Sequence, residues 1–373
     1  MKLDRRWAII FLAGIVALIS IGASASVSLS GGCTSIIEGS DSVRGISTPD
    51  GTDITATGSI QAAVNVAPPG ATVSLLPKTY NEIVEISKSL DIIGAGKSST
   101  IVDGQQKGSV FTIPSGVTAK LVDMTIQNGK GDLGGGIYNS GTATLTDSIV
   151  SGNTDTGTGG GIRNDGTMTV ADSIISNNIA LFKGGGIYNC GTMTVADSII
   201  SGNIGGTDGG GILNEAKVTV IGSTISKNCA EVGGGISSWD TGSTVTVISS
   251  TISGNCASTI GGGIYNGPTS NAKVIGSTIS GNSATNGGGI YNLGPATVTD
   301  SIVSGNIASG SGGGIYNSEM SDFYNSGKLT ITDSIVSENS ATLGGGIYWT
   351  DLRPVIDSKT IITGNSEPQI YPY

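Results

Sequence analysis

Residues 184–208 read GGGIYNCGTMTVADSIISGNIGGTD, and this unit decides the fold. Its first tetrapeptide, Gly-Gly-Gly-Ile, occurs nine times, beginning at Gly134, Gly159, Gly184, Gly209, Gly233, Gly261, Gly287, Gly312 and Gly344. An asparagine recurs in phase with it, at Asn153, Asn178, Asn203, Asn228, Asn255, Asn282, Asn306, Asn339 and Asn365. A period near 25 residues that survives insertions is the sequence signature of a solenoid.

One unit can be interpreted as one coil. Residues 184–189, 193–196 and 198–201 are short runs rich in Ile, Val and Thr, which favour strands, and each is followed by residues that tolerate bends. Equivalent residues of successive coils then form columns, and the Val and Ile columns should point inward. The recurrent Asn is predicted to be structural, with its side-chain amide bonded to backbone and to the next Asn along the axis.

Composition excludes several kinds of function. The 373 residues include 62 Gly, no His, and a formal net charge of −10, with a pI near 4.4. Without His, the commonest zinc ligand and the commonest general base are both missing. An acidic chain also lacks the basic surface that binding to phosphate backbones requires, so no nucleic acid partner is expected.

The first 25 residues are typical of an export signal, which predicts an extracellular or cell-surface location. A basic start with Lys2, Arg5 and Arg6 precedes a 16-residue apolar run and the site Ala23-Ser24-Ala25. Cleavage after Ala25 is the preferred interpretation; an uncleaved membrane anchor and lipidation at Cys33 are the alternatives. Residues 26–58 are rich in Ser, Gly, Thr and Asp and are predicted to be a flexible linker.

Two features of the remaining chain can be read directly. Residues 59–67 have the pattern of a short helix with Ser59 as N-cap, which would cap the solenoid at its N-terminal end. Cys229 and Cys256 both follow the recurrent Asn in adjacent copies, where stacking would place their Cα atoms about 5 Å apart. A disulfide and two reduced thiols are equally compatible with that spacing.

The repeat resembles that of the chlamydial polymorphic outer-membrane proteins, in which Gly-Gly-Ala-Ile occurs with Phe-x-x-Asn. This chain has Gly-Gly-Gly-Ile with Ile/Val-x-x-Asn, as in residues 200–203 followed by 209–212. Residues 60–63, 77–82, 90–94 and 101–104 are similar to the opening turns of pectin-lyase-like β-helices. The resemblance implies an all-β fold over residues 59–373, a right-handed parallel β-helix of about twelve coils. Such folds include both enzymes and adhesins.

The position after each Gly-Gly-Gly-Ile should point outward beside a face made flat by glycine. It holds Tyr138, Arg163, Tyr188, Leu213, Ser237, Tyr265, Tyr291, Tyr316 and Tyr348. Stacked aromatic residues stabilise a sheet by themselves, and they could also bind a carbohydrate or another partner. Insertions at one corner add Trp239, Phe323 and Tyr324 to this candidate binding surface. A polysaccharide or a surface protein is therefore the expected partner.

Catalysis is the alternative hypothesis. Polysaccharide lyases of the fold that it resembles use an Arg or Lys base with carboxylates that hold calcium. No cofactor is expected for this chain, and calcium is the alternative that the resemblance implies. The nearest mixed cluster is Asp132, Asp155, Arg163, Asp165 and Lys183. A third alternative, ice binding through Thr pairs such as Thr192 and Thr194, is interrupted by lysines at 217 and 273. We expect a non-catalytic binding scaffold, with a polysaccharide lyase or glycoside hydrolase as the alternative.

Overall fold

The computed structural model describes residues 51–320 and 327–372, and before them only the backbone of five strands. The chain winds as a right-handed parallel β-helix whose coils build four parallel sheets. Two of the sheets contain twelve strands each, which corresponds to about eleven turns and confirms the predicted fold. We number the sheets 1 to 4 in the order in which one coil, such as residues 142–164, passes through them.

Sheet 1 follows the turn after sheet 4 and carries two inward residues in most coils. Its parallel strands are Gly51–Ala56, Thr72–Leu75, Leu90–Ile93, Thr118–Val122, Thr142–Thr146, Thr167–Ala171, Thr192–Ala196, Lys217–Ile221, Thr244–Ile248, Asn271–Ile275, Ala296–Thr299, Leu329–Thr332 and Val355–Ile356. Sheet 2 contains Thr79–Tyr80, Ile101–Asp103, Thr125–Gln127, Ile149–Ser151, Ile174–Ser176, Ile199–Ser201, Thr224–Ser226, Thr251–Ser253, Thr278–Ser280, Ile302–Ser304, Ile335–Ser337 and Ile361–Thr363.

Sheet 3 begins after the recurrent Asn and is the shortest of the four. It contains Lys130–Leu133, Thr154–Thr158, Ile179–Ala180, Ile204–Gly205, Cys229–Val232, Cys256–Ile260, Ser283–Ala284 and Ile307–Ala308. Sheet 4 begins at the Ile of each Gly-Gly-Gly-Ile. It contains Val84–Glu85, Phe111–Ile113, Ile137–Asn139, Ile162–Asn164, Ile187–Asn189, Ile212–Asn214, Ile236–Ser238, Ile264–Asn266, Ile290–Asn292, Ile315–Asn317, Ile347–Trp349 and Ile370–Tyr371.

The core is a set of vertical columns in the interior of the helix. The predicted inward columns are buried, for example Val170, Val195 and Val220 from sheet 1 and Ile175, Ile200 and Ile225 from sheet 2. A single coil cannot bury these side chains, so the stacking of coils supplies the hydrophobic stabilisation.

The helix Ile60–Val66 packs against the first strands of sheets 1 and 4, as the sequence predicts. The Ser59 hydroxyl accepts the N–H of Ala62 at 3.1 Å, and the Glu82 carboxylate accepts the N–H groups of Ile60 and Gln61 at 2.7 and 3.1 Å. These bonds satisfy donors that a helix N-terminus leaves free. No helix in the described ranges is long and apolar enough to cross a membrane.

The segments before residue 59 differ from a simple leader and linker. Strand Gly51–Ala56 pairs in parallel with Thr72–Leu75, and its Ile54 and Ala56 are fully buried. The β-helix therefore extends back into the segment predicted as linker. Antiparallel strands Ser26–Val27, Ser35–Gly39 and Val43–Thr48 continue sheet 1. Of the predicted signal, only strands Trp7–Leu12 and Ile15–Ser20, an antiparallel pair, are described.

Asparagine ladders define the corners. Asn203, between sheets 2 and 3, donates to Asn228 Oδ1 at 2.9 Å and accepts from the side chain and the backbone of Asn178 at 3.0 Å. The same bonds link the members of this column, and all of them are buried. A second ladder, absent from the sequence analysis, joins Asn139, Asn164, Asn189 and Asn214 after sheet 4. These ladders thus give the buried Asn amides hydrogen-bond partners along the axis.

The glycine triplets bring successive coils into contact between sheets 3 and 4. In the triplet at 184–186, Gly184 has φ +68°, which strains any residue with a side chain. A Cβ on Gly186 would lie 2.6 Å from the carbonyl oxygen of Gly211 in the next coil and 3.0 Å from Asn203 Nδ2. The triplet is therefore required by backbone geometry and by close packing, and it leaves the adjacent strand in a flat surface.

Candidate functional site

The candidate site is the outward column of sheet 4, which contains the residue after each Gly-Gly-Gly-Ile. Strand pairing places its members directly above one another: Tyr138, Arg163, Tyr188, Leu213, Ser237, Tyr265, Tyr291, Tyr316, Tyr348 and Tyr371. Residues just before the triplets form one rim of this column, and residues just after the sheet 4 strands form the other. We call the outward residues, from Tyr138 to Tyr371, the sheet 4 column.

The C-terminal part of the column is a continuous aromatic stack. Ring centroids are 5.9 Å apart for Tyr265 and Tyr291, and 4.4 Å apart for Tyr291 and Tyr316. Tyr348 follows at 4.9 Å and Tyr371 at a further 5.4 Å. Interplanar angles between 6° and 24° show that these rings stack face to face. Burial raises the pKa of Tyr265 and of Tyr291, so their hydroxyls stay protonated at physiological pH.

Trp239 extends the stack by one rung. The column has Ser237 at this level, and the insertion that follows it carries the indole ring to 4.7 Å from the ring of Tyr265. The indole N–H donates to Asp208 Oδ1 at 2.8 Å, which fixes the ring against the opposite rim. Tyr265 is consequently only 1 % exposed, whereas Trp239 is 40 % exposed.

This arrangement limits what the predicted binding residues can contact. The faces of the rings are occupied by neighbouring rings, so only the edges of Tyr291, Tyr316 and Tyr348, all half-buried, remain for a ligand. The hydroxyls of Tyr291 and Tyr316 also interact with each other. Tyr265 is covered. Phe323 and Tyr324 lie outside the described residues.

In the N-terminal part of the sheet 4 column, polar side chains form hydrogen bonds and ion pairs that reach across the column from one rim to the other. Arg163 donates from Nε to Asp165 at 3.0 Å and from Nη1 to Thr158 Oγ1 at 2.8 Å. Its guanidinium also lies 5.0 Å from the centroid of the Tyr188 ring. Burial works against the charge on Arg163, but the hydrogen bond and the charge of Asp165 raise its pKa overall. Arg163 and Asp165, predicted to be neighbours, are therefore paired with each other.

The next coil repeats the crossing with different residues. Lys183 Nζ lies 3.3 Å from Glu215 Oε1, and the Tyr188 hydroxyl donates to Glu215 Oε2. Burial, together with Glu215, raises the pKa of the nearby Cys190 thiol to about 11. The sequence analysis did not single out Glu215. It shares a column with Asp165 and Cys190 immediately after the recurrent sheet 4 Asn, and that phase could have identified it.

Asp155 and Asp132 are separated from this cluster by orientation. Asp155 is 3 % exposed because its side chain points inward from sheet 3. Burial raises its pKa to about 6 although nearby backbone N–H groups act in the opposite direction. Asp132 is exposed, and its carboxylate accepts the Thr156 hydroxyl. Across the described ranges no three His, Cys, Asp or Glu side chains lie close enough together to hold a metal ion.

A disulfide joins sheet 3 strands of adjacent coils. Cys229 and Cys256 face each other in register, with their Cα atoms 4.7 Å apart, and their sulfur atoms are bonded. The bond links the two coils that carry Trp239 and Tyr265. Cys190 has a free thiol.

Residues 300–318 match the Chlamydia polymorphic membrane protein repeat. The chain is a parallel β-helix, and one stretch of it matches this repeat. No curated protein sequence matches the chain. The solved A-module of the Azotobacter vinelandii mannuronan C-5 epimerase AlgE6 superposes with a TM-score of 0.52 at 16 % identity, over 81 % of this chain and 93 % of that one.

Two other solved structures resemble this chain with lower TM-scores. The periplasmic alginate epimerase AlgG has a TM-score of 0.48 at 12 % identity, over 83 % of this chain and 85 % of that one. Pectate lyase Pel9A has a TM-score of 0.39 at 15 % identity, over 83 % of this chain and 74 % of that one. At 16 % identity, the likeness to the AlgE6 A-module supports the fold and not the activity.

Proposed function

We propose that the chain is a non-catalytic β-helix scaffold, exported to the cell surface, that binds polysaccharide along the C-terminal half of the sheet 4 column. The observation that carries the proposal is the contrast between the two halves of that column. In the N-terminal half, charged side chains bind one another across the column. In the C-terminal half, half-buried tyrosines form a row of stacked rings beside the glycine triplets.

The paired charges argue against the alternative of a lyase or hydrolase. A base must be free to accept a proton, but Arg163 is held by Asp165 and has a raised pKa. Glycoside hydrolysis requires two carboxylates that reach the substrate, and Asp155 is buried. Lys183 is engaged with Glu215.

The half-buried tyrosine row suits a hydroxyl-rich polymer. A phenol hydroxyl both donates and accepts hydrogen bonds, and successive rungs repeat at about 4.8 Å along the axis. A glycan chain parallel to the axis would meet the same group at every rung. The polymorphic-membrane-protein repeat and the export-type leader, residues 1–25, support a surface location.

The first experiment incubates residues 26–373 with a panel of acidic and neutral polysaccharides, with and without calcium. We expect retention on one polymer without new reducing or unsaturated ends. Turnover that disappears in Arg163→Ala would instead establish the enzyme alternative.

Variants then locate the binding surface. Tyr291→Phe with Tyr316→Phe removes two hydroxyls and keeps both rings in the stack, and we expect at least tenfold weaker retention. Tyr138→Phe, at the opposite end of the column, is the matched control and should bind as the parent does. Equal retention by both variants would exclude the tyrosine row as the ligand surface.

A further inference from the structure

The outward face of sheet 2 carries a column of residues that the candidate site does not use. From Ile149 to Ile361, strand pairing places the first residues of the sheet 2 strands directly above one another. In chain order they are Ile149, Ile174, Ile199, Thr224, Thr251, Thr278, Ile302, Ile335 and Ile361. Three isoleucines, three threonines and three isoleucines follow one another, so the order is the same from either end, with Thr251 at the centre. We call these nine residues the sheet 2 column.

The isoleucines of this column are accessible in the single chain. Ile199, Ile302, Ile335 and Ile361 are between 37 and 53 % exposed. Single exposed apolar residues are normal on a protein surface and need no explanation. Two groups of apolar residues in one straight column indicate a surface that binds another molecule.

The remainder of the face allows a second sheet to approach. The last residue of the sheet 2 strands is a serine in every coil from Ser151 to Ser337. From Ile149 onward the sheet 2 strands contain no charged residue, whereas the strands of sheets 1, 3 and 4 contain Lys217, Glu231 and Arg163, among others. The centres of protein interfaces are depleted of charged residues, and small side chains permit the usual distance of about 10 Å between packed sheets.

We propose that the sheet 2 face binds the same face of a second copy of the chain, with the two coil axes antiparallel. The two-fold axis would run along the strand Thr251–Ser253 at the centre of the sheet 2 column. The facing pairs are then Ile149 with Ile361, Ile174 with Ile335, Ile199 with Ile302, Thr224 with Thr278, and Thr251 with its own equivalent. Such a contact is isologous, as in most homodimers.

The antiparallel arrangement places like residues opposite each other. A two-fold axis parallel to the coil axis would exchange the two outward columns of sheet 2, so each isoleucine would face a serine of the second copy. In the antiparallel arrangement the isoleucines pack on isoleucines and the serines face serines. The first three strands of sheet 2, residues 79–80, 101–103 and 125–127, extend beyond the contact.

Charges occur only at the rim of this face, two residues before the sheet 2 column. The three central coils have Gly222, Ser249 and Gly276 there, and the outer coils have the exposed carboxylates Asp147, Asp172, Asp197, Asp300 and Asp333. The last coil has Lys359, which pairs with Asp333 at 3.0 Å and would face Asp147 of the second copy. Asp197 would face Asp300, and their repulsion is weak because both are exposed to solvent and salt.

The size of the face determines the expected affinity. Nine coils at about 4.8 Å cover about 40 Å along the axis, and the width from Asp147 to Gly152 is about 15 Å. The contact therefore covers about 600 Å² on each copy, or about 1,200 Å² in total, at the lower end of the range for stable specific interfaces. We expect a reversible dimer that leaves the sheet 4 column outside the contact.

Sedimentation equilibrium of residues 26–373 over a range of chain concentrations tests the dimer. We expect a monomer–dimer equilibrium, and Ile302→Lys should weaken it at least tenfold because it introduces a charge into the contact. Ile275→Lys makes the same change at an exposed position of sheet 1 and should dimerise as the parent chain does. A parent chain that is monomeric at every concentration, or an Ile302→Lys variant that dimerises as well as the parent, would overturn the proposal.

Cysteine cross-linking tests the arrangement, in a chain that also carries Cys33→Ser and Cys190→Ser. Under mild oxidation Thr251→Cys should form a covalent dimer, because this position lies on the two-fold axis. Ile199→Cys chains and Ile302→Cys chains should cross-link when they are mixed, and neither should cross-link alone. Cross-linking of Ile199→Cys chains with one another, or no cross-link in the mixture, would contradict the antiparallel arrangement.

Discussion

The indole of Trp239 stacks on Tyr265 with the ring centroids 4.7 Å apart, at the one level of the C-terminal column where the repeat supplies Ser237 instead of an aromatic residue. An insertion therefore completes a stack that the repeat itself leaves short. The same ring bridges the column through its bond to Asp208. Trp239 therefore lies at the boundary between the two halves of the sheet 4 column. Side chains cross the N-terminal half, and the C-terminal half is open.

Trp239→Ala should destabilise the coils around it. Loss of one aromatic contact and of the bond to Asp208 is expected to cost about 1–3 kcal/mol, since the ring is only partly buried. Denaturant unfolding followed by tyrosine fluorescence measures the loss. Trp239→Phe keeps a stacking ring and should recover most of the stability; equal losses in both variants would show that the stacking contributes little.

Asn203→Ala should be among the most destabilising changes in the chain. It removes the bond to Asn228 and deprives the buried backbone N–H and side-chain amide of Asn178 of their shared acceptor. Each unsatisfied buried group costs about 1–3 kcal/mol, so a loss of about 3 kcal/mol is expected in chemical denaturation. Asn177→Gly, at the exposed neighbouring position with positive φ, is the control and should be nearly neutral.

Gly186→Ala tests the close approach of successive coils. The added Cβ would meet the Gly211 carbonyl at 2.6 Å, so a backbone must move and at least about 2 kcal/mol should be lost. Gly116→Ala adds the same methyl group at φ +81° with nothing within 4 Å, and its cost should be limited to about 1–2 kcal/mol of backbone strain. Thermal unfolding of the two variants compares the cost of the steric clash at Gly186 with the cost of backbone strain at Gly116.

The disulfide predicts a dependence on reductant. Cys229 and Cys256 are separated by 27 residues. Closing a loop of that size stabilises a protein by about 3 kcal/mol in the chain-entropy description. The double variant Cys229→Ser with Cys256→Ser should unfold at lower denaturant concentration, and its midpoint should no longer change with reductant. An unchanged midpoint in the parent protein under reduction would contradict a stabilising bond.

Asp155 predicts an unusual dependence of stability on pH. Its pKa is raised to about 6 by burial, so the folded chain holds a proton that the unfolded chain releases between about pH 4 and 6. Stability contributed by this group is complete below pH 4 and is lost as pH rises through 6. The loss amounts to about 3 kcal/mol at pH 7. Asp155→Asn should remove this dependence, which denaturation midpoints at pH 4 and pH 7 would measure.

The coil could be predicted from the sequence, but the burial of each side chain could not. Period and phase were enough to place Val195 and Ile200 inside and Asn203 at a corner, because stacking makes equivalent residues share an environment. They could not show that Tyr265 is covered, since this depends on an insertion that carries Trp239 from its own corner across to the stack.

The polar cluster shows the same limit. Arg163 and Asp165 were predicted to lie in one mixed cluster near the Gly-rich face of the first coils, but their mutual pairing depends on rotamers that only the structure supplies. Glu215 pairs with Lys183 across 32 residues, which a reading of one coil at a time does not detect. Asp155 was grouped with them, and its inward orientation follows from the alternation of side chains along Thr154–Thr158.

Because of the ladders formed by Asn203 and its equivalents, the length of this β-helix can change only by whole coils. Every coil ends with the same amide acceptor and donor with which the next begins, so removing or duplicating a whole unit such as 184–208 rejoins identical ends. A shift by any other number of residues breaks all the columns at once. Gain or loss of whole units would therefore change the length of the β-helix in steps of about 4.8 Å, and the contacts between coils would stay of the same kind.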